Sequence, residues 1–447
     1  LSCKHKAHTV IRTGGPQALH HVVTDQGANH VFSQFGSGTL RGSATHLSRH
    51  MLIDPHAILG EGTALMYGSG IRGVFDMMTI HEDALVITPF QAIAGRVREL
   101  LRGKARRGSV GIGVGETILD AEVLKEGSIR ARDLNTPSLR KKLEAIQAHK
   151  WQEFESYTDR TSDIDPAVRD RVSSELAQME DADTVQWAVE RFAELTERVR
   201  IVDTDYVAKN ILGTGGTVVF EGSQGVLLDR FHGFHPYTTQ VRTTPASAHE
   251  IMRECGYDGD VQSLGILRAY HTRHGGGPFV TESSDLTDAL PDEMNKAHPW
   301  QGNFRVGSFD LVAARYALEA CGAGAIDGII ITCLDRILAR GSWELTEAYH
   351  VPPMAQDDLE RLFWTYQERI VGIKAASGMI GTEHLKHQEQ VTQALLRCSP
   401  DQRAFALPKD KALRYLIDLC VTGLQKVSQI PVVAVSVGQT EQDKIEI

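Results

Sequence analysis

Cysteine is scarce in this chain and follows no pattern. Six cysteines, at positions 3, 255, 321, 333, 398 and 420, are scattered over 447 residues without a C-x-x-C pair. This argues against a zinc site or a disulfide framework and fits a reducing compartment. Long apolar runs are missing as well, since none approaches the ~18 consecutive residues needed to cross a bilayer. No signal-peptide pattern stands at the start, so the cytoplasm is the expected location. Positive charge is in deficit, with 47 Lys and Arg against 57 Asp and Glu and a formal net charge of −10. Such a surface repels nucleic acid polymers overall, although a local basic patch still suits a small phosphorylated ligand. Repeats and low-complexity linkers are absent too.

What remains has the balance of a globular enzyme, 42% hydrophobic and 23% charged. The length allows two or three domains, or one large α/β domain. Apolar, β-branched runs recur at 8–13 (HTVIRT), 84–88 (ALVIT), 216–222 (GTVVFEG), 328–335 (GIIITCLD) and 431–438 (PVVAVSVG). Their apolar positions are consecutive rather than alternating, the pattern of strands covered on both faces. Several end in Gly, Asp or Ser, where an open α/β sheet gathers ligand-binding loops. Residues 136–212 are charged and helical in pattern, a cap or subdomain, and SFDLVAARYALEACG (308–322) reads as a helix ended by glycine. The simplest organisation is a single large α/β domain over 1–447, with a mostly parallel central sheet, flanking helices and helical insertions.

Several segments carry chemistry. In FEGSQGVLLDRFHGFHPYTT (220–239), Gly222 and Gly225 bracket Gln224 directly after a strand. Glycines let backbone amides approach a ligand, and a glutamine amide both donates and accepts; the plainer reading is a tight turn. Thr238 and Thr239 suit a phosphate or a turn. GSVGIGVGE (108–116) is glycine-rich and follows the basic run RVRELLRGKARR (96–107), but its alternation matches neither the dinucleotide nor the P-loop fingerprint. Basic runs are more often solvated helix faces. TGGPQALHH (13–21) places His20 after an early strand, as a general acid or as a structural histidine. AYHTRHGGGPF (269–279) adds Arg273 and three glycines, and ITCLD (331–335) ends a strand on Asp335, which accepts hydrogen bonds from a base edge or caps a helix.

Taken in order, these segments resemble the adenylosuccinate synthetase family from about residue 8 to 440. FEGSQGVLLD matches the family's F-E-G-A-Q-G-x-L-L-D, and HGFHPYTT resembles H-G-x-Y-P-Y-V-T. ILRAYHTRHGGGPFVTE is close to I-L-K-A-Y-x-T-R-V-G-x-G-P-F-P-T-E, while ITCLD and SVG correspond to T-K-L-D and S-x-G-P. The resemblance implies a P-loop-related α/β fold and a ligase. A triphosphate, GTP or ATP with Mg2+, phosphorylates the 6-oxygen of a purine monophosphate such as IMP, and aspartate or a related amino acid then displaces phosphate. It implies His20 and Gln224 as catalytic residues, Ser109, Gly222, Thr238, Thr239 and Arg242 around the substrate nucleotide, and Arg305 as amino-acid clamp and triphosphate contact. Asp335, Ser436 and Gly438 would then meet the base of the triphosphate, and the backbone carbonyl of Leu19 a metal. A homodimer is implied as well.

Departures from the family pattern are equally specific. The motif G-D-E-G-K-G, with the catalytic aspartate and phosphate lysine, occurs nowhere in these 447 residues. The numbering starts at Leu1 on text that already reads as mid-fold, so a segment ahead of it is expected. Gln17, Leu19 and His21 replace Asn, Gly and Thr of G-G-x-N-A-G-H-T, and Val110 replaces a threonine of the phosphate loop. PWQGNFRVGSFD (299–310) leaves Arg305 alone where the family carries several arginines. Each missing charged hydrogen bond costs ~1.5–3 kcal/mol, so the amino donor or purine is open to change. Cys333 stands where T-K-L-D has lysine, which leaves the base of the triphosphate open. RTTPASA (242–248) is somewhat like the phage 2-aminoadenylosuccinate synthetases, and 2-amino-purine (deoxy)nucleotides or a specialised nucleoside are alternative substrates. A nucleotide-binding homologue without catalysis is the alternative from another class.

Overall fold

The computed structural model describes residues 1–447 except 159–164, 293, 296, 377, 378 and 380. Its described residues cluster into two units that interleave in sequence. The first comprises Leu1–Gln224 and Thr239–Asp258, the second Gly225–Thr238 and Gly259–Ile447.

In the first unit the strands are β1 (Thr9–Gly14), β2 (His20–Val23), β3 (Asn29–Phe32), β4 (Ala44–Met51), β5 (Met78–His81), β6 (Arg200–Val202) and β7 (Val218–Glu221). Five of them form a parallel sheet in the order β6-β5-β4-β1-β7. All six residues of β1 are buried, as expected of an inner parallel strand covered on both faces. β2 and β3 form an antiparallel ribbon with His20 opposite Phe32, so His20 begins a strand rather than sitting on a loop. The run 84–88 forms no strand, only isolated bridges from Leu85 and Val86. Its apolarity instead feeds a cluster of Leu52, Ile87, Val114 and Val241.

Helices begin where the sequence places caps. Asp54 accepts from Ala57 N ahead of Pro55–Gly68, and Thr88 with Gln91 forms a capping box ahead of Pro89–Arg102. Within 136–212 lie helices Leu139–Thr158, Pro166–Glu180 and Ala182–Arg198, while Arg200–Val202 supplies one edge strand of the parallel sheet. Part of the expected 136–212 segment, 159–164, lies outside the described residues.

The second unit contains β8 (Leu264–Arg268), β9 (His271–His274), β10 (Phe304–Gly307), β11 (Phe309–Asp310), β12 (Gly328–Thr332), β13 (Ser342–His350), β14 (Phe363–Tyr366), β15 (Arg369–Ile373), β16 (Ser399–Ala406), β17 (Val432–Ser436) and β18 (Lys444–Glu446). One sheet runs β18-β17-β12-β8, parallel except for β18, and another runs β11-β13-β15-β14 with β16 on β13. Trp343 is the largest fully buried side chain of the core here, packed among Phe309, Leu311, Leu345 and Leu416, and its indole N–H donates to Ala269 O at 2.7 Å. The expected helix runs Leu311–Cys321 and ends at Gly322, whose φ is 100°.

Candidate active site

In the parallel register of β1 and β7, Arg12 lies opposite Glu221. Arg12 is fully buried; its Nη1 donates to Glu221 Oε1 at 2.6 Å and its Nη2 to Ser33 O at 2.9 Å. Ser37 donates to Glu221 Oε2 from its backbone N at 3.0 Å and from its hydroxyl at 2.9 Å. His20 Nδ1 rests on Glu221 Oε1, and its Nε2 lies 3.4 Å from Ser223 O. Burial pushes the Glu221 carboxyl up, but Arg12, His20 and Ser37 together outweigh it and hold the group down to about 2. Glu221 is therefore an anchored anion that fixes the imidazole through Nδ1, with Nε2 turned toward Ser223 O.

Past β7 the chain turns back over β1. Ser223 donates to Thr13 O at 2.5 Å. Gly14 has φ 98°, and a Cβ there would approach Ser223 Oγ to 2.8 Å and Gln224 Oε1 to 3.4 Å, so this position needs glycine. The Gln224 amide is buried on both Oε1 and Nε2 without a hydrogen-bond partner among the described residues. Gln17 donates from Nε2 to Thr239 Oγ1 at 3.1 Å, and its own Oε1 is buried and unpaired among the described residues. Buried polar atoms without partners cost about 1–3 kcal/mol each, and they concentrate where a ligand supplies the partner.

The other expected residues of this unit are placed as follows. Ser109 is exposed on the glycine loop, where its Oγ accepts from Gly111 N at 3.2 Å. Gly222 is exposed, and Arg242 is exposed and donates to Glu250 at 3.0 Å. Leu19 is 62% exposed. A group with metal-ligating spacing, Asp120, His149 and Glu153, occurs elsewhere, but Lys150 already places its ammonium 2.5 Å from Asp120 and 2.9 Å from Glu153.

In the second unit, Asp335 follows β12 and Ser436 ends β17, both at the carboxyl end of a parallel pair. Ser436 Oγ donates to Gly438 O at 3.0 Å, and so does Lys444 Nζ, also at 3.0 Å. Burial, the largest cause, lowers the Lys444 ammonium pKa against the opposing pull of Asp443, Asp335 and Cys333. Thr238 belongs to this unit, with its methyl close to Gly233. Arg305 on β10 donates to Glu282 at 2.6 Å and to the carbonyls of Gly275 and Gly277 at 2.7 and 3.1 Å. Arg273 stands opposite it on β9 and is lowered to about 10, by burial first and then by the Arg305 charge.

Sequence reasoning assigned no role to Arg12, Glu221, Ser37 or the Gln17–Thr239 bond. A signal existed for Arg12, a charged residue inside the otherwise apolar run HTVIRT. Its partner was not readable, because 209 residues separate the two.

A family model described as adenylosuccinate synthetase matches residues 2–445. The adenylosuccinate synthetase of Saccharopolyspora erythraea is 32% identical over 385 residues, covering 81% of this chain and 81% of that protein. That of Mycobacterium marinum is 32% identical over 372 residues, covering 79% and 78%. Among solved structures, fully ligated adenylosuccinate synthetase from Plasmodium falciparum is similar over 100% of this chain and 95% of its own, with a TM-score of 0.72 and 17% identity. Cyanophage S-2L succinoaminodeoxyadenylate synthetase, bound to dGMP and dATP, covers 100% and 88% with a TM-score of 0.55 and 17% identity. At that identity the two structures speak for the fold.

Proposed function

The chain belongs to the adenylosuccinate synthetase family of C–N bond-forming ligases, and on that premise we propose that it couples aspartate to carbon 6 of a purine nucleoside monophosphate at the expense of a nucleoside triphosphate. The triphosphate gives its γ-phosphoryl group to the 6-oxygen, leaving the diphosphate. The amine of aspartate attacks carbon 6, the C–O bond breaks, phosphate leaves, and the amine loses its proton.

The observation that carries this reading is Gln224, whose buried amide has neither atom paired among the described residues, next in the chain to Ser223, whose carbonyl faces His20. A 6-oxopurine edge offers both a donor and an acceptor to such an amide. His20, oriented by Glu221, stabilises charge and hands over a proton as the phosphoryl group transfers. Thr239, positioned by Gln17, and Ser109 take the 5′-phosphate, with Gly222, Thr238 and Arg242 around the nucleotide. Arg305 takes a carboxylate of the amino acid by exchanging it for Glu282, and contacts the triphosphate. Asp335, Ser436 and Gly438 receive the base of GTP or ATP. Magnesium travels with the triphosphate in this reading, and the backbone carbonyl of Leu19 would be one of the several oxygen ligands it needs. No step is assigned to it. By the same family resemblance the working form is a cytoplasmic homodimer.

The test is a coupling assay read by mass spectrometry, with Mg2+, GTP or ATP, aspartate, and IMP, GMP or dGMP. An aspartyl adduct formed with stoichiometric phosphate release supports the ligase and names its purine. Nucleotide binding without an adduct from any combination, with a wider amine panel also negative, overturns it in favour of a nucleotide-binding homologue.

A further inference from the structure

Helix Pro89–Arg102 carries a residue of the wrong charge for its place. Glu99 lies in the last turn, at the negative end of the helix dipole, and is only 1% exposed. Arg102 neutralises it through one oxygen. The other oxygen, Oε2, accepts from the backbone N of Arg107 at 3.0 Å and of Gly108 at 3.3 Å.

Two further residues on the same helix face grip the same loop. Arg96, one turn earlier, donates to Gly111 O at 3.3 Å and is itself locked by Glu175 at 2.6–2.8 Å. Ala92, another turn earlier, lies under Gly113, where a Cβ would come within 2.7 Å of Ala92 N. The loop therefore runs back along the face formed by residues 99, 96 and 92, held at 107–108, 111 and 113. Between the first two grips lie Ser109 and Val110. Their backbone N–H groups have no partner among the described residues, and the Ser109 hydroxyl retains its own proton to donate.

We propose that Glu99 is a positioning residue for this loop, holding the Ser109 hydroxyl and the Ser109 and Val110 amides in the arrangement that receives the 5′-phosphate of the substrate. This rests on the ligase reading, in which Ser109 meets that phosphate. By consuming the amides of Arg107 and Gly108, the buried carboxylate fixes the approach to the loop and leaves the next two amides for the anion. It does not touch the substrate.

The experiment is calorimetric binding of IMP, GMP and dGMP, with inosine and guanosine as phosphate-free counterparts, to the full chain and to Glu99→Gln. The amide keeps the shape, but it loses the charge and one acceptor. We expect affinity for the monophosphate to fall about tenfold while affinity for the nucleoside is unchanged. Glu99→Asp, which restores the charge on a shorter stem, should recover part of the loss, and it carries the test if Glu99→Gln does not fold. Equal losses for monophosphate and nucleoside, or unchanged monophosphate binding, overturn the positioning role. If the unmodified chain binds none of the three monophosphates, the ligase reading fails, and this proposal with it.

Discussion

Arg12 and Glu221 form a largely buried charge pair, and its worth lies in what it orients. Replacing such a pair with apolar residues is often neutral, whereas removing one partner strands a charge at about 3–5 kcal/mol. Glu221→Gln should therefore lower the unfolding free energy by roughly that amount at neutral pH and free the His20 ring. The pH dependence has a definite sign. The folded pKa of about 2 lies below the ordinary 4.5, so the contribution is full above about pH 4.5 and is lost as pH falls toward 2. In denaturant titrations, the gap between the unmodified chain and Glu221→Gln should stay constant from about pH 7 to 5 and narrow by about pH 3. A gap that widens on acidification contradicts the assignment. Gln224→Leu makes the opposite contrast. It removes two unpaired polar atoms, so stability should hold or rise by up to ~1 kcal/mol while kcat/KM for the monophosphate falls about 10–100-fold. A drop in Tm without a kinetic effect would mean that the amide has a structural partner.

At the scale of elements, β4 carries a buried histidine whose neutrality the sheet depends on. His46 is 1% exposed, meets Thr79 Oγ1 at 2.9 Å across the β4–β5 register, and is lowered to about 3 by burial, with the His81 charge adding to it. An unfolded histidine protonates near 6.5, so the unfolded state gains the proton first as pH falls. Stability is full above about pH 6.5 and declines toward the folded pKa, by about 2 kcal/mol for this residue at about pH 5. Urea midpoints at about pH 7.5 and 5 should therefore draw closer in His46→Gln than in the unmodified chain. Legibility also differed between elements. The inner strands β1, β12 and β17 were readable, because burial on both faces makes their apolar positions consecutive, and the edge strand β7 carried a similar apolar run. The run 84–88 had the same pattern without being a strand, because Ile87 is buried against Leu52 and Val114 rather than paired in a ladder. Burial leaves that trace in sequence whatever the backbone does.

For the molecule as a whole, charge and connectivity matter most. A net charge of −10 predicts no binding to a short labelled DNA duplex at physiological salt by fluorescence anisotropy, while a purine monophosphate still binds. Measurable duplex affinity that weakens with salt would reveal a basic surface that the total conceals. Among the described residues no helix is long and apolar enough to cross a membrane. The two units exchange chain segments, so Thr238 and Thr239, neighbours in sequence, belong to different units.

The sequence by itself determined the family, the α/β class and the inner strands, and it singled out the residues proposed to surround the purine. These are written locally, in runs and motifs that need no partner to be recognised. Only the tertiary structure decided which groups meet: Arg12 with Glu221 and His20, Gln17 with Thr239, Glu99 with the glycine loop. Strand order and register set those partnerships across long sequence separations, and hydrogen bonds form between whatever groups the register brings within about 3 Å. No local pattern records that distance.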